Sequence, residues 1–107
     1  FARAHNCILV LKGHRTITVA PDGRAWINTS GNPGMAKGGS GDVLAGLITS
    51  FLSQKQLEFG SPAALTAAAV YLHGSAGDKA ARRFGEYGMT PEDLIAYIPE
   101  ALKERER

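Results

Sequence analysis

The hydrophobic pattern begins with three short strand-like segments. Residues 7–11 (CILVL) form a continuous apolar run, which is typical of a strand buried on both faces. Residues 16–19 alternate between polar and apolar side chains, as a half-exposed strand does, and residues 25–28 predict a third strand. Turn-forming residues separate the segments at positions 13–14 and 21–23.

Helical patterns follow the strands. Apolar residues recur on one face over residues 43–53, which predicts an amphipathic helix. Ser61 is placed as the N-cap of a long alanine-rich helix that reaches about residue 84. Thr90 begins a last helix in the same way, and Pro99 is expected to break or kink it. Strands followed by helices predict an α/β fold.

The most informative stretch connects the last predicted strand to the first long helix. Five glycines fall within residues 31–42 (GNPGMAKGGSGD), and an apolar helix follows at once. Glycine at this density lets a ligand approach the main chain closely. Free N–H groups and the helix dipole both favour negative charge at a helix N-terminus. The stretch therefore predicts a phosphate site.

An acidic residue ends this stretch. Asp42 falls in the first turn of the predicted helix, beside the position of a bound phosphate. A carboxylate there is unfavourable for binding an anion but suits the abstraction of a proton. We therefore predict that Asp42 is a catalytic base, and that the phosphate lies against the main chain of Gly38, Gly39, Ser40 and Gly41.

Two common phosphate-binding motifs do not fit these residues. A P-loop requires Gly-Lys-Ser/Thr, whereas Lys37 is followed by Gly38. A dinucleotide-binding G-x-G-x-x-G motif that starts at Gly39 would need a third glycine where Leu44 stands. An ordinary glycine-rich surface turn is the alternative that these residues leave open.

Residues 32–46 (NPGMAKGGSGDVLAG) closely resemble the motif of the NAD(P)H-hydrate dehydratases. These ribokinase-like proteins repair hydrated nicotinamide cofactors at the expense of ADP or ATP. The resemblance continues at residues 11–16 (LKGHRT), 71–78 (YLHGSAGD) and 89–95 (MTPEDLI), so it covers nearly the whole chain in the same order. One departure is Lys37, where the family usually carries Thr or Ser.

The resemblance implies a fold and a domain organisation. The family's domain is more than twice as long as the 107 residues of this chain. We therefore expect residues 1–107 to be a single partial domain, the C-terminal nucleotide-binding portion of a ribokinase-like three-layer α/β/α domain. The isolated chain is expected to be inactive for the same reason.

The resemblance also implies a reaction and its participants. Hydrated NADH or NADPH would be dehydrated with ADP or ATP as co-substrate and with Mg²⁺ on the phosphates. Asp42 would contact this substrate as well as act as the base. Six residues would contact the adenine nucleotide: Lys12, Gly13, His14, Arg15, Thr16 and Gly41.

Two other functions could use the same groups. A ribokinase-like kinase would transfer a phosphoryl group to a stable alcohol, such as a vitamin precursor or a sugar. A nucleotide-binding module would bind without turnover. The products distinguish the three functions, because they are restored NADH, a phosphorylated alcohol, or none.

Two polar residues of the long helix are interpreted as structural. His73 is expected to be a packed histidine, and Asp78 a surface or polar-network residue. The small residues of the same helix predict close packing against a neighbour: Ala67, Ala68, Ala69, Gly74, Ala76 and Gly77.

Composition narrows the partners and the location. The formal net charge is +2 and the Lys and Arg residues are scattered, which does not favour nucleic acid. No apolar run approaches the length of a membrane span. The single Cys7 suits a reducing cytoplasm, and the three dispersed His residues form no metal-ligand pattern. We expect a cytoplasmic protein that binds small molecules, in a homo-oligomer as the family suggests.

Overall fold

The computed structural model describes residues 2–12, 15–36, 38–53 and 61–105. After a short helix that the pattern did not predict, three short strands are followed by three long helices, as predicted. In chain order the elements are α1 (Ala2–His5), β1 (Leu9–Leu11), β2 (Ile17–Val19), β3 (Ala25–Ile27), a 3₁₀ turn (Pro33–Met35), α2 (Ser40–Ser53), α3 (Pro62–Phe84) and α4 (Pro91–Arg105).

The three strands form an antiparallel sheet in the order β1-β2-β3. Val10 pairs with Thr18 and Thr18 pairs with Trp26, so these three side chains share one face of the sheet. That face packs on α3. The opposite face carries six apolar residues: Leu9, Leu11, Ile17, Val19, Ala25 and Ile27.

The strands are less buried than the sequence predicts. β1 begins at Leu9 instead of Cys7, and Leu11 is 50% exposed, so the predicted burial of this strand on both faces is wrong. The physical reason is that α3 covers one face of the sheet only. In β2 the buried side chain is Thr18, which lies under α3, while its apolar neighbours on the strand are half-buried.

The starts of α3 and α4 confirm the capping predictions. The Ser61 hydroxyl accepts a hydrogen bond from the Ala64 N–H at 3.2 Å. At α4, the Asp93 N–H donates to Thr90 Oγ1 at 3.2 Å, and the Thr90 N–H donates to the Asp93 carboxylate at 2.9 Å. Such bonds satisfy backbone donors that helix geometry leaves without a partner.

α4 continues through Pro99, so the predicted break does not occur. Proline has no N–H, and the Ile95 carbonyl therefore loses its usual helical donor. Ile95 is 51% exposed and Pro99 is exposed as well, so water can reach that carbonyl. The proline is tolerated because it lies on the solvent side of the helix.

α3 is the central helix, and it packs on α2, on α4 and on β2. Ala69 and Ala76 on α3 are fully buried, which confirms the close packing predicted from the small residues. Lys79 of α3 pairs with Glu104 of α4. Across the ranges described, none of the helices combines the length and the hydrophobicity that a membrane span requires. The core cluster consists of Phe51, Ala69, Leu72, Ala76, Leu94 and Ala101.

Candidate functional site

An open cleft of about 750 Å³ lies where the sheet, the glycine-rich stretch, α2 and α3 meet. Four residues predicted to bind phosphate or nucleotide line it, namely Lys12, Thr16, Ser40 and Gly41. The remaining lining residues are Asn28, Ser30, Gly31, Asn32, Pro33, Met35, Ala36, Leu44, Val70, His73 and Gly74.

The N-terminus of α2 forms one end of this cleft. The first helical bond runs from the Val43 N–H to the Gly39 carbonyl at 3.1 Å. The amides of Ser40, Gly41 and Asp42 precede it, and by helix geometry they have no acceptor within α2. Because the helix dipole adds positive potential at the same place, this end of the cleft can bind an anion.

Lys12 approaches the same end of α2. A Cβ atom built on Gly41 would lie 2.8 Å from Lys12 Nζ, so the ammonium group lies against the first helical turn. A lysine charge and a helix N-terminus both favour anionic groups. The structure thus brings together two of the residues predicted to contact the nucleotide.

Asp42 lies in the first turn of α2, as predicted, and it is exposed. It directly follows Gly41, which lines the cleft, although Asp42 itself is not among the lining residues. The structure therefore places the Asp42 carboxylate in solvent next to the cleft, and its predicted role as a base stays a prediction.

The other predicted site residues lie around this end of the cleft or outside it. Gly38 and Gly39 are exposed, and Gly39 has φ +98°, a conformation that favours glycine. Arg15 is exposed and does not line the cleft. Three further positions lie outside the described residues: Gly13, His14 and Lys37.

Asp78 of α3 holds the beginning of the glycine-rich stretch. Its two carboxylate oxygens accept hydrogen bonds from the Gly31 N–H at 3.0 Å and from Asn32 Nδ2 at 2.9 Å. The Asn32 side chain in turn accepts from the Gly34 N–H at 2.9 Å and caps the 3₁₀ turn. The prediction that Asp78 belongs to a polar network is confirmed.

Ser30 also connects the beginning of the glycine-rich stretch to α3, and it was not among the residues predicted for the site. Its Oγ lies 2.9 Å from the Tyr71 carbonyl oxygen and 3.0 Å from Asn28 Oδ1. Gly74 makes this approach possible, because a Cβ there would lie 2.1 Å from Ser30 Oγ. The available signal was the polar run at residues 28–30, directly after an apolar strand.

His73 contacts the other end of the glycine-rich stretch. Its side chain is buried, and Nε2 lies 3.1 Å from the Ser40 carbonyl oxygen. A carbonyl can only accept, so Nε2 carries the proton and Nδ1 is the acceptor in the neutral ring. Burial lowers the pKa of His73 and the charge of Lys12 lowers it further, against the opposing effect of the Ser40 hydrogen bond. The expected packed histidine is therefore also a hydrogen-bonding group at the cleft.

Known proteins are similar to this chain in sequence. The family model described as NAD(P)H-hydrate dehydratase matches residues 1–100. A bifunctional NAD(P)H-hydrate repair enzyme of Moorella thermoacetica is 48% identical over 99% of this chain and 19% of its own length. An ADP-dependent (S)-NAD(P)H-hydrate dehydratase of Enterococcus faecalis is 43% identical over 89% of this chain and 30% of its own length.

A solved structure extends the similarity to the fold. The ADP/ATP-dependent NAD(P)H-hydrate dehydratase of Bacillus subtilis, co-crystallised with ATP and Mg²⁺, matches with a TM-score of 0.85 and 32% identity. The match covers 96% of this chain and 36% of that protein. The fold expected from the resemblance is confirmed. The chain spans about a fifth to just over a third of the length of these three relatives.

Proposed function

This chain belongs to the NAD(P)H-hydrate dehydratase family, and from that membership we propose that it forms the nucleotide-binding portion of an enzyme that dehydrates hydrated NADH and NADPH. Residues 1–107 would be a single partial domain of that enzyme. The observation that carries the proposal is the convergence of Lys12, the glycine-rich stretch and the start of α2 on one cleft.

ATP or ADP is the proposed co-substrate. Its phosphates would lie against the main chain of residues 38–41, where the α2 amides and Lys12 both favour negative charge. The loop at residues 12–16 would contact the rest of the nucleotide. This assignment is supported by the relatives, one of which is named as ADP-dependent and another of which was co-crystallised with ATP.

Magnesium fits this site only together with the nucleotide. Within the described ranges, no group of three His, Cys, Asp or Glu side chains could hold a metal ion alone. The Asp78 carboxylate already accepts two hydrogen bonds. Mg²⁺ in such sites is usually held by substrate phosphates, water and one or two carboxylates. The nucleotide phosphates would therefore hold it here, and it would neutralise part of their charge.

The proposed reaction makes the ring hydroxyl of the hydrated nicotinamide a good leaving group. The hydroxyl oxygen attacks the terminal phosphorus of the nucleotide, and Asp42 accepts the hydroxyl proton. General base catalysis of this kind typically contributes 10²–10⁴-fold. The amides at the start of α2 stabilise the charge on the transferring group. The nucleotide, one phosphate shorter, is the leaving group of this transfer. Loss of inorganic phosphate from one ring carbon and of a proton from the adjacent carbon then restores the double bond of the ring.

Cytoplasmic location and assembly into a homo-oligomer complete the proposal for the whole protein. Cell fractionation tests the first, and light scattering on the purified full reading frame tests the second.

Asp42→Asn tests the proposed base. Asparagine has nearly the same size but cannot accept the proton, so kcat should fall by two orders of magnitude or more. Nucleotide affinity should stay nearly unchanged, because the amides and Lys12 remain in place. The assay follows the recovery of NADH from its hydrate by the full reading frame, and calorimetry measures the nucleotide Kd.

Asp22→Asn is the control for this experiment, since it removes an exposed carboxylate from the turn between β2 and β3. Near-normal repair by the Asp42 variant would reject the assignment of the base. A phosphorylated alcohol as the product, without repair of NADH hydrate by the unmodified protein, would favour the kinase instead.

A further inference from the structure

A single helix contacts the glycine-rich stretch at both of its ends. On α3, Asp78 binds the beginning of the stretch at Gly31, and His73 binds its end at Ser40. Between these anchors, Met35 packs closely on Gly77 of the same helix, where a Cβ would lie 2.3 Å from the methionine Sδ.

The contacts at the beginning of the stretch are directional. The two oxygens of Asp78 each accept one hydrogen bond, from the Gly31 N–H and from Asn32 Nδ2. Hydrogen bonds to a carboxylate are shorter and stronger than those between neutral groups. They fix the direction of the chain as it leaves Ser30 and enters the 3₁₀ turn.

The contact at the end of the stretch adds a restraint to one peptide plane at the start of α2. The Ser40 carbonyl and the Gly41 N–H belong to the same planar, trans peptide unit, in which C=O and N–H point in opposite directions. His73 Nε2 binds this carbonyl from outside the helix, so it restrains, together with α2 itself, the direction of the Gly41 N–H on the other side. That amide belongs to the first turn of α2, at the anion end of the cleft.

We propose that Asp78 and His73 are positioning residues that orient the main chain of the glycine-rich stretch for phosphoryl transfer. Asp78 sets the course of the stretch at Gly31, and His73 secures the peptide that joins Ser40 to Gly41 at the start of α2. The inference rests on the proposed function, because both residues act through backbone amides on the charge of the transferring group. A misplacement of about 1 Å in such a site costs on the order of 10²-fold in rate.

The anchor at Asp78 can be broken and rebuilt. Asp78→Asn replaces one acceptor by an NH₂ group, which cannot accept from either of the two donors. The double variant Asp78→Asn with Asn32→Asp, called the exchanged pair, moves the carboxylate to position 32 and the amide to position 78. It allows all three hydrogen bonds again, namely those from the Gly31 N–H, from the Gly34 N–H and between the two side chains. The carboxylate at position 32 accepts from the Gly34 N–H and from the new amide, whose oxygen accepts from the Gly31 N–H.

We expect the single variant Asp78→Asn to lower kcat roughly tenfold to a hundredfold, with a smaller change in the nucleotide KM. The exchanged pair should return kcat to within about threefold of the unmodified protein. Asp22→Asn is a matched control, since this carboxylate also accepts from one backbone N–H and one side-chain N–H, those of Arg24 at 3.0 and 2.8 Å. It should leave kcat unchanged.

Hydrogen exchange provides a second readout that needs no turnover. Mass spectrometry of peptides that cover residues 28–36 should show faster exchange in Asp78→Asn and recovery in the exchanged pair. Peptides from α4 should keep their exchange rates in both. If the unmodified protein does not repair NADH hydrate, the proposed function fails, whereas the exchange data still decide whether Asp78 orders the stretch.

A matched pair of variants tests His73. Glutamine places its NH₂ group near the position of Nε2 and can donate to the Ser40 carbonyl, whereas asparagine is shorter and reaches only the position of Nδ1. We expect His73→Gln to keep kcat within about threefold of the unmodified protein and His73→Asn to lower it about tenfold or more. Thermal unfolding should show that both variants are folded.

Three results would overturn the proposal. These are an unchanged kcat in Asp78→Asn, a loss that the exchanged pair does not recover, and equal impairment of the two His73 variants. If Asp78→Asn alone does not fold, the exchanged pair tests the proposal by itself. A folded exchanged pair with less than a tenth of the normal kcat would contradict positioning by these hydrogen bonds.

Discussion

The two halves of the glycine-rich stretch contain glycine for different physical reasons. In the first half, residues 31–36, a Cβ on Gly34 would lie 2.5 Å from the Glu86 carbonyl oxygen, so the protein packs against its own main chain there. In the second half, a Cβ on Gly38 would meet no atom of the described residues within 4 Å. The first half is therefore closed by main chain of the protein itself. In the second half Gly38 is open, and the groups nearest to a Cβ on Gly39 and on Gly41 are side chains, Pro91 at 3.1 Å and Lys12 Nζ at 2.8 Å.

The same contrast holds for glycines within helices. Gly74 of α3 receives Ser30, and a Cβ there would lie 2.1 Å from the serine Oγ. Gly46 of α2 has open space around its Cβ position. A glycine in a helix normally costs about 0.5–1 kcal/mol relative to alanine. At Gly74 this cost is offset because the absence of a Cβ lets Ser30 approach α3. No contact among the described residues explains why position 46 is glycine.

The largest expected effect is a difference in stability between alanine variants of these two helical glycines. Gly74→Ala should lower the free energy of unfolding by about 1–3 kcal/mol, because overpacking against Ser30 outweighs the gain in helix propensity. Gly46→Ala should raise it by about 0.5–1 kcal/mol. Urea unfolding of the two variants measures both values. Stabilisation by Gly74→Ala would show that the first half of the stretch is not closed by packing.

The contrast also shows how much the sequence could predict. Its pattern correctly placed α2, α3 and α4, because capping residues such as Ser61 and Thr90 act locally. It correctly indicated that β1 has two apolar faces, but burial depends on what packs against each face, and α3 covers only one. The break predicted at Pro99 was wrong because the tolerance of this proline depends on the exposure of Ile95, a tertiary property, whereas the alternative of a kink stays a prediction.

The candidate site also has one part that the sequence predicted and one part that it did not. Glycine density and the acid at Asp42 predicted an anion site at a helix N-terminus, and the helix begins there as expected. The anchors on α3 could not be found in this way. His73 and Asp78 lie more than thirty residues from their partners in the sequence, and only tertiary packing shows that Asp78 faces Gly31. The role of Asp42 stays a prediction.

A smaller effect is expected in the open half. Replacing Gly41 by valine should weaken nucleotide binding by more than tenfold, because a side chain would block the approach of a phosphate to the main chain. The stability should change little, since the group that a Cβ would meet is the flexible end of Lys12. Calorimetry with ADP or ATP measures the affinity, and Gly46→Ala is the control. Unchanged affinity would mean that Gly41 only shapes the turn.

The smallest expected effect is a pH dependence of the free energy of unfolding that arises from His73, which binds the end of the stretch. Burial, and secondarily the charge of Lys12, lower the pKa of His73 below its ordinary value of 6.5. As pH falls below about 6.5, the unfolded chain takes up this proton before the folded chain does, so the free energy of unfolding decreases. The contribution is complete above that pH and is lost as pH falls toward the folded pKa.

His73→Gln should therefore flatten the decline of stability in this acidic window, while it keeps the hydrogen bond to Ser40. His5→Gln, which changes an exposed histidine, should leave the decline in place. Urea unfolding at a series of pH values from neutral to mildly acidic measures both curves. The same slope in the His73 variant as in the unmodified protein would show that protonation of this ring does not limit stability.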